Sequence, residues 1–115
     1  MADAIAYKVL TAAQLAVLEH EGTFTGAPVD LADGYIHLST AEQLAGTLDK
    51  HFAGQGDLQI AAVDLDALGD AVKWEESRGG ALFPHIYGAM PLDVVIAYGE
   101  LEREHDGTVK LPVAG

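Results

Sequence analysis

Asp33-Gly-Tyr-Ile-His-Leu-Ser-Thr-Ala-Glu-Gln-Leu44 changes its hydrophobic period partway along. Tyr35-Ile-His-Leu38 alternates, which predicts a strand with Tyr35 and His37 on one face and Ile36 and Leu38 on the other. Ser39-Thr-Ala-Glu42 then has the spacing of a capping box, and Ala41, Leu44, Ala45, Leu48 and Phe52 keep helical spacing until Gly54. A strand that runs straight into a capped helix marks a place where functional groups gather, because the first-turn N–H groups are unpaired and attract anions.

Upstream, Ile5, Tyr7 and Val9 alternate with Ala6 and Lys8, so the chain opens on a strand. Thr11-Ala-Ala-Gln14 caps a first helix, Leu15 and Leu18 give it an apolar stripe, and Gly22 ends it. Residues 22–34, rich in Gly, Asp, Pro and Thr, read as a loop. Downstream, Leu58 to Val63 reads as a buried strand, Ala67-Leu-Gly69 as a turn or one helical turn, Val72 to Glu76 as a strand and Ser77-Arg-Gly-Gly80 as its loop. Phe83-Pro-His-Ile-Tyr-Gly88, if extended, shows Phe83, His85 and Tyr87 on one face, and Pro84 predicts a sheet edge or bulge. The nearly unbroken apolar run Leu92 to Tyr98 predicts a central strand covered on both sides. Residues 100–115 read as a loose tail or edge piece.

The chain has 115 residues, half of them apolar, which is one domain's worth of core, with the organised part expected at about residues 5–98. No apolar run approaches the roughly 20 residues of a membrane span, and the opening residues do not form a secretory signal, so the expected address is the cytoplasm. No cysteine is present, which excludes disulfides, thiolate metal ligands and thiol nucleophiles. Eighteen acidic residues against six basic ones give a net charge of −12. Such a charge repels DNA and RNA over a broad surface but leaves room for a local pocket that holds one small anion.

Two histidine segments carry the chemistry. His37 sits in an apolar strand beside Tyr35, and a histidine there is either a core group with a polar partner or part of a pocket. Ser39 and Thr40 read first as helix caps. His85 and Tyr87 follow Glu75, Glu76 and Arg78, a set of imidazole, phenol, carboxylate and guanidinium suited to proton transfer and to recognition of phosphate or carboxylate. Gly79, Gly80 and Gly88 flank His85 with the backbone that binding loops use. The alternative for Arg78 is a surface pair with Glu75 or Glu76. His51 falls in the last turn of the second helix, where a cation complements the dipole, and Trp74 and Phe52 read as core. His37, His51 and His85 have no spacing that marks a metal site, and none is assigned.

In their order and spacing Asp33 to Leu44, Lys73-Trp-Glu75 and Phe83 to Gly88 resemble the bacterial family called domain of unknown function 952, over about residues 5–98. The resemblance implies an α+β fold like that of ADP-ribosyltransferases, with a split, mostly antiparallel sheet and two main helices. Ile36-His-Leu-Ser39 is also similar to a strand of the RNA 2′-phosphotransferases that use NAD. In ADP-ribosyltransferases the opening strand carries a His or Arg that holds NAD; the matching segment here, Tyr7-Lys-Val-Leu-Thr11, offers Lys8. The resemblance thus implies a small enzyme acting on NAD, an ADP-ribose derivative or another small phosphate-bearing compound. His37, His85 and Glu75 are its expected catalytic groups, and Tyr35, Ser39, Arg78, Tyr87 and Lys8 its ligand contacts. The alternative is a non-catalytic module that keeps the cleft and binds a metabolite or a protein.

Overall fold

The computed structural model describes residues 4–76 and 80–112. Strand β1 (Ile5–Thr11) leads into helix α1 (Ala12–Glu21), which starts as its sequence requires: Thr11 Oγ1 accepts the Gln14 N–H and Gln14 Oε1 accepts the Thr11 N–H. Gly22, in the left-handed region at φ 77°, ends the helix. β4 (Leu58–Asp64) pairs with β1, and β8 (Val95–Glu100) pairs with β4, giving an antiparallel sheet in the order β1-β4-β8.

A second antiparallel sheet has the order β3-β6-β5, from β3 (Ile36–His37), β6 (Leu82–Ile86) and β5 (Val72–Glu76). One bridge joins the two sheets: Tyr7 and Ser39 exchange both backbone hydrogen bonds, at 2.7 and 2.9 Å. The bridge lies just beyond the end of β3, and the Lys8 ammonium of β1 adds a side-chain bond to the His37 carbonyl at 3.1 Å. The fold is α+β with antiparallel sheets, and its two longest helices are α1 and α3 (Leu44–His51).

The first half-sheet is covered on both sides. Ala6 and Leu10 join Leu15 and Leu18 of α1, with Ile36, Leu38, Ile86 and Met90, in the main core. On the other side Val9 and Ile60 pack with Leu44 and Leu48 of α3 and with Val109. Each fully buried Leu or Ile contributes roughly 1.5–3 kcal/mol relative to exposure. Trp74 packs against the main core and Phe52 against the smaller one, as expected.

Five local expectations are corrected. Residues 22–34 are not all loop: β2 (Thr23–Phe24) pairs with β7 (Met90–Pro91), and a short helix α2 (Pro28–Asp33) follows, with Pro at its first position and left-handed Gly34 at its end. The second helix starts later than its expected cap. Ala41–Gln43 form a 3₁₀ turn in which Thr40, not Ser39, donates its N–H to Gln43 Oε1, and α3 begins at Leu44. Pro84 lies in the central strand of its sheet, not at an edge. Its carbonyl accepts the Leu38 N–H, so the direction of its missing donor also points toward β3, beyond that strand's two residues, and the ladder loses little.

The run Leu92 to Tyr98 is not a central strand. Leu92–Val94 form a 3₁₀ turn, and β8 is an edge strand whose Ile96 and Tyr98 are exposed. The central, doubly covered strand is β4, whose residues Ile60 to Val63 are all buried. Residues 101–112 are not a loose tail: Leu101 donates to the Leu58 carbonyl, Arg103 and Val109 bridge in a small hairpin, and Val109 is buried.

Candidate functional site

β3 and β6 set His37 directly opposite His85 in the ladder, so both side chains leave the same face of the sheet. Two residues outward on each chain, Tyr35 and Tyr87 fall opposite one another by the same register. The four rings form one cluster. His37 and His85 have ring centroids 5.3 Å apart, Tyr35 stacks on His85 at 4.1 Å, and Tyr35 lies 4.8 Å from His37 and 5.2 Å from Tyr87. Ile36 and Ile86, one residue out of phase, bury themselves in the main core and hold this face in register.

Each imidazole is backed by a carboxylate. His85, only 2 % exposed, has Nδ1 2.7 Å from Glu75 Oε1, and the Tyr87 hydroxyl donates to the same carboxylate at 2.8 and 3.1 Å. The hydrogen bonds from His85 and then Tyr87 hold the Glu75 carboxyl below the usual range, against a smaller effect of desolvation. The Glu75 bond in turn raises the Tyr87 phenol, and burial followed by the charges of Asp33 and Glu75 raises that of Tyr35, so both phenols stay protonated donors. A carboxylate has no proton to give, so His85 Nδ1 carries the hydrogen of that bond, which leaves Nε2 as the nitrogen not engaged by Glu75.

His37 is held at both ends. Its Nδ1 lies 2.6 Å from Asp30 Oδ1 and its Nε2 2.9 Å from Asp33 Oδ2. Asp30, 1 % exposed, organises the surroundings: it accepts the backbone N–H groups of Ala27 and His37 at 2.8 and 3.1 Å and pairs with Lys8 Nζ at 2.9 Å. Burial pushes its carboxyl upward, but the bonds from His37 and Lys8 and the Lys8 charge outweigh this and hold it well below the usual range. Burial lowers the Lys8 ammonium against the opposing pull of Asp30. Lys8, 6 % exposed, also donates to the His37 carbonyl at 3.1 Å.

The cluster opens on a cleft of about 530 Å³ lined from β1, β3, β6 and α3. Tyr35, His37, His85, Ser39 and Lys8 line it; Glu75 and Tyr87 stand behind His85. The Ser39 hydroxyl shares a 2.7 Å hydrogen bond with Thr47 of α3, on the cleft wall. Of the expected site, Tyr35, His37, Glu75, His85 and Tyr87 come together, Ser39 and Lys8 are placed beside them with their polar groups engaged, and Arg78 lies outside the described residues. Sequence reasoning misses Asp30, Asp33, Thr47 and Lys50 as site residues; His51, expected as a dipole complement in α3, also lines the cleft. Pro28 followed six residues later by Gly34 is the signal that could have found the helix carrying Asp30 and Asp33. Among the described residues no three His, Asp or Glu side chains are grouped to hold a metal ion, and no helix is long and apolar enough to cross a membrane.

The arrangement suits proton transfer. Two imidazoles, each oriented at Nδ1 by a carboxylate, present two acid–base groups to one cleft. Lys8, Lys50, His37, His51 and His85 line the wall together with the Asp33 carboxylate, while Asp30 and Glu75 pair with Lys8, His37 and His85 from behind it.

The chain is similar in structure to protein CC0527 from Caulobacter crescentus. Against its crystal structure the identity is 43 % and the TM-score 0.84, covering 93 % of this chain and 94 % of that one. Against its solution NMR structure the identity is 43 % and the TM-score 0.78, covering 91 % and 90 %. No curated protein matches. The family model described as protein of unknown function (DUF952) matches residues 9–98, which include both histidine dyads, and the chain belongs to that family.

Proposed function

We propose that this protein is a small enzyme in which His37 and His85 act as an acid–base pair on a phosphate-bearing compound bound in the cleft. The observation that carries the reading is the cross-strand placement of two carboxylate-backed imidazoles, 5.3 Å apart, on the wall of one cleft. Proton transfer by such positioned groups contributes about 10²–10⁴-fold to a rate. Lys50 and the imidazoles on the wall are donors that suit an anionic ligand, and Tyr35, half-buried against His85, brings an aromatic ring beside the acid–base groups. The sequence resemblance to ADP-ribosyltransferases implies a ligand of the NAD class, so NAD and ADP-ribose derivatives are the first compounds to test.

One observation favours a second reading, a binding module without turnover. Lys8, at the position where the resemblance implies a residue that holds NAD, is spent on Asp30. A melting-temperature screen against NAD, ADP-ribose, nucleoside phosphates and simple organic acids separates the readings when paired with turnover assays. A bound ligand at a hundredfold excess over its dissociation constant stabilises the fold by about 2.7 kcal/mol. The enzyme reading expects turnover that falls at least about a hundredfold in both His37→Ala and His85→Ala. Binding without turnover supports the module, and turnover indifferent to both substitutions sinks the acid–base assignment.

A further inference from the structure

The two carboxylates on His37 are unlike. Asp30 is fixed by burial and by bonds to two backbone N–H groups and Lys8, whereas the Asp33 side chain, at the end of the short helix α2, is 45 % exposed and meets His37 Nε2 at 2.9 Å. The His37 side chain is itself 31 % exposed, and both it and Asp33 line the cleft. An exposed ion pair of this kind holds weakly and exchanges readily with solvent and ions. Lys50 and His51 line the same cleft and lie in the last turn of α3, so Asp33 is the acidic side chain on a wall that also carries Lys50 and three imidazoles.

We propose that the Nε2 edge of His37 is the docking point for one anionic oxygen of the ligand's phosphate, and that the Asp33 carboxylate is an internal stand-in which that oxygen displaces. An anionic phosphate oxygen, like the carboxylate oxygen it replaces, is a charged acceptor for the imidazole N–H. Asp30 stays in place throughout, so the ring keeps its orientation while its outer partner changes. Displacement also frees the His37 Nε2–H to donate into the ligand, while His85, whose Nε2 is not engaged by Glu75, serves as the acceptor. Asp33 thus sets a threshold: a neutral compound of similar shape has nothing to offer Nε2 in exchange for the carboxylate, and the subsite stays closed to it.

The inference rests on the phosphate reading of the cleft, and one titration tells the two apart. Inorganic phosphate is added to the full chain and to its Asp33→Asn and Asp33→Ala variants, and the imidazole ¹⁵N and ¹H signals of His37, His51 and His85 are followed by NMR. Removing the competitor tightens phosphate binding about two- to fivefold in both variants, with a saturable shift on His37 Nε2 in all three proteins. Binding seen at His51 or His85 with His37 unmoved overturns the subsite but leaves the phosphate reading standing. Binding at His37 of unchanged or weaker affinity in both variants overturns the role of Asp33. No saturable shift on any cleft residue overturns the subsite and the phosphate reading together. Asp33 is exposed, so melting curves of the variants are expected to overlie that of the parent.

Discussion

Replacing Asp30 by Ala removes the acceptor of Lys8 Nζ at 2.9 Å, of His37 Nδ1 at 2.6 Å and of the Ala27 and His37 N–H groups at 2.8 and 3.1 Å. Lys8 is then a buried ammonium with no counter-charge, the situation that costs about 3–5 kcal/mol. Against a total stability of about 5–15 kcal/mol this is a large fraction, and at about 4 °C per kcal/mol it lowers the melting temperature by about 15 °C. The assay is urea unfolding of the parent, Asp30→Ala, and Asp30→Ala combined with Lys8→Met, which removes the stranded charge. The double variant is expected to recover more than half of the loss. A cost below about 1 kcal/mol for the single variant, or a double variant no better than the single, refutes the reasoning.

The same group has a pH signature. Its folded value lies below the ordinary carboxylate range, so its stabilising effect is complete above the unfolded value of about 3.9 and is withdrawn as pH falls below that toward the folded value. Asp30→Asn is expected to flatten this acid limb, and an unchanged limb counts against the assignment.

Glu75 and the C-terminal hairpin give further tests. Tyr87→Phe removes one of the two donors on Glu75, so the Glu75 carboxyl, followed by ¹³C NMR, should titrate higher than in the parent while the His85 bond still keeps it below the ordinary range; no movement refutes the pairing. Val109→Ala should cost about 1–2 kcal/mol in urea unfolding, because Val109 is buried against Leu44, Leu48 and Ile60, whereas exposed Leu111→Ala should stay within about 0.5 kcal/mol. Equal effects at the two positions refute docking of the hairpin.

Much of the site is legible in the sequence because strand period fixes faces. Alternation around Ile36 and Ile86 places Tyr35 with His37 and His85 with Tyr87, and the ladder that joins them follows from the same apolar residues. The carboxylate behind His37 is not legible. Asp30 sits in a six-residue helix whose Val29 and Leu31 face solvent, so no apolar stripe marks it, and its tie to Lys8 spans 22 residues of sequence. Lys8 illustrates the same limit: a basic residue in an apolar strand reads as a ligand contact until the partner that consumes it is known. The apolar run through Val95 misleads for a different reason, since an edge strand that exposes Ile96 and Tyr98 has the composition of a buried one.

The opposition of His37 and His85 in the ladder makes strand register a functional coordinate. A slip of one residue between β3 and β6 would rotate both rings of one strand toward the core and bring Ile36 or Ile86 out in their place, so a slipped chain keeps one imidazole on the face and loses its partner. Mispaired folding products for that reason lack the two-imidazole pair. The fraction of molecules that react, in any assay of this protein, also counts the fraction that have zipped correctly.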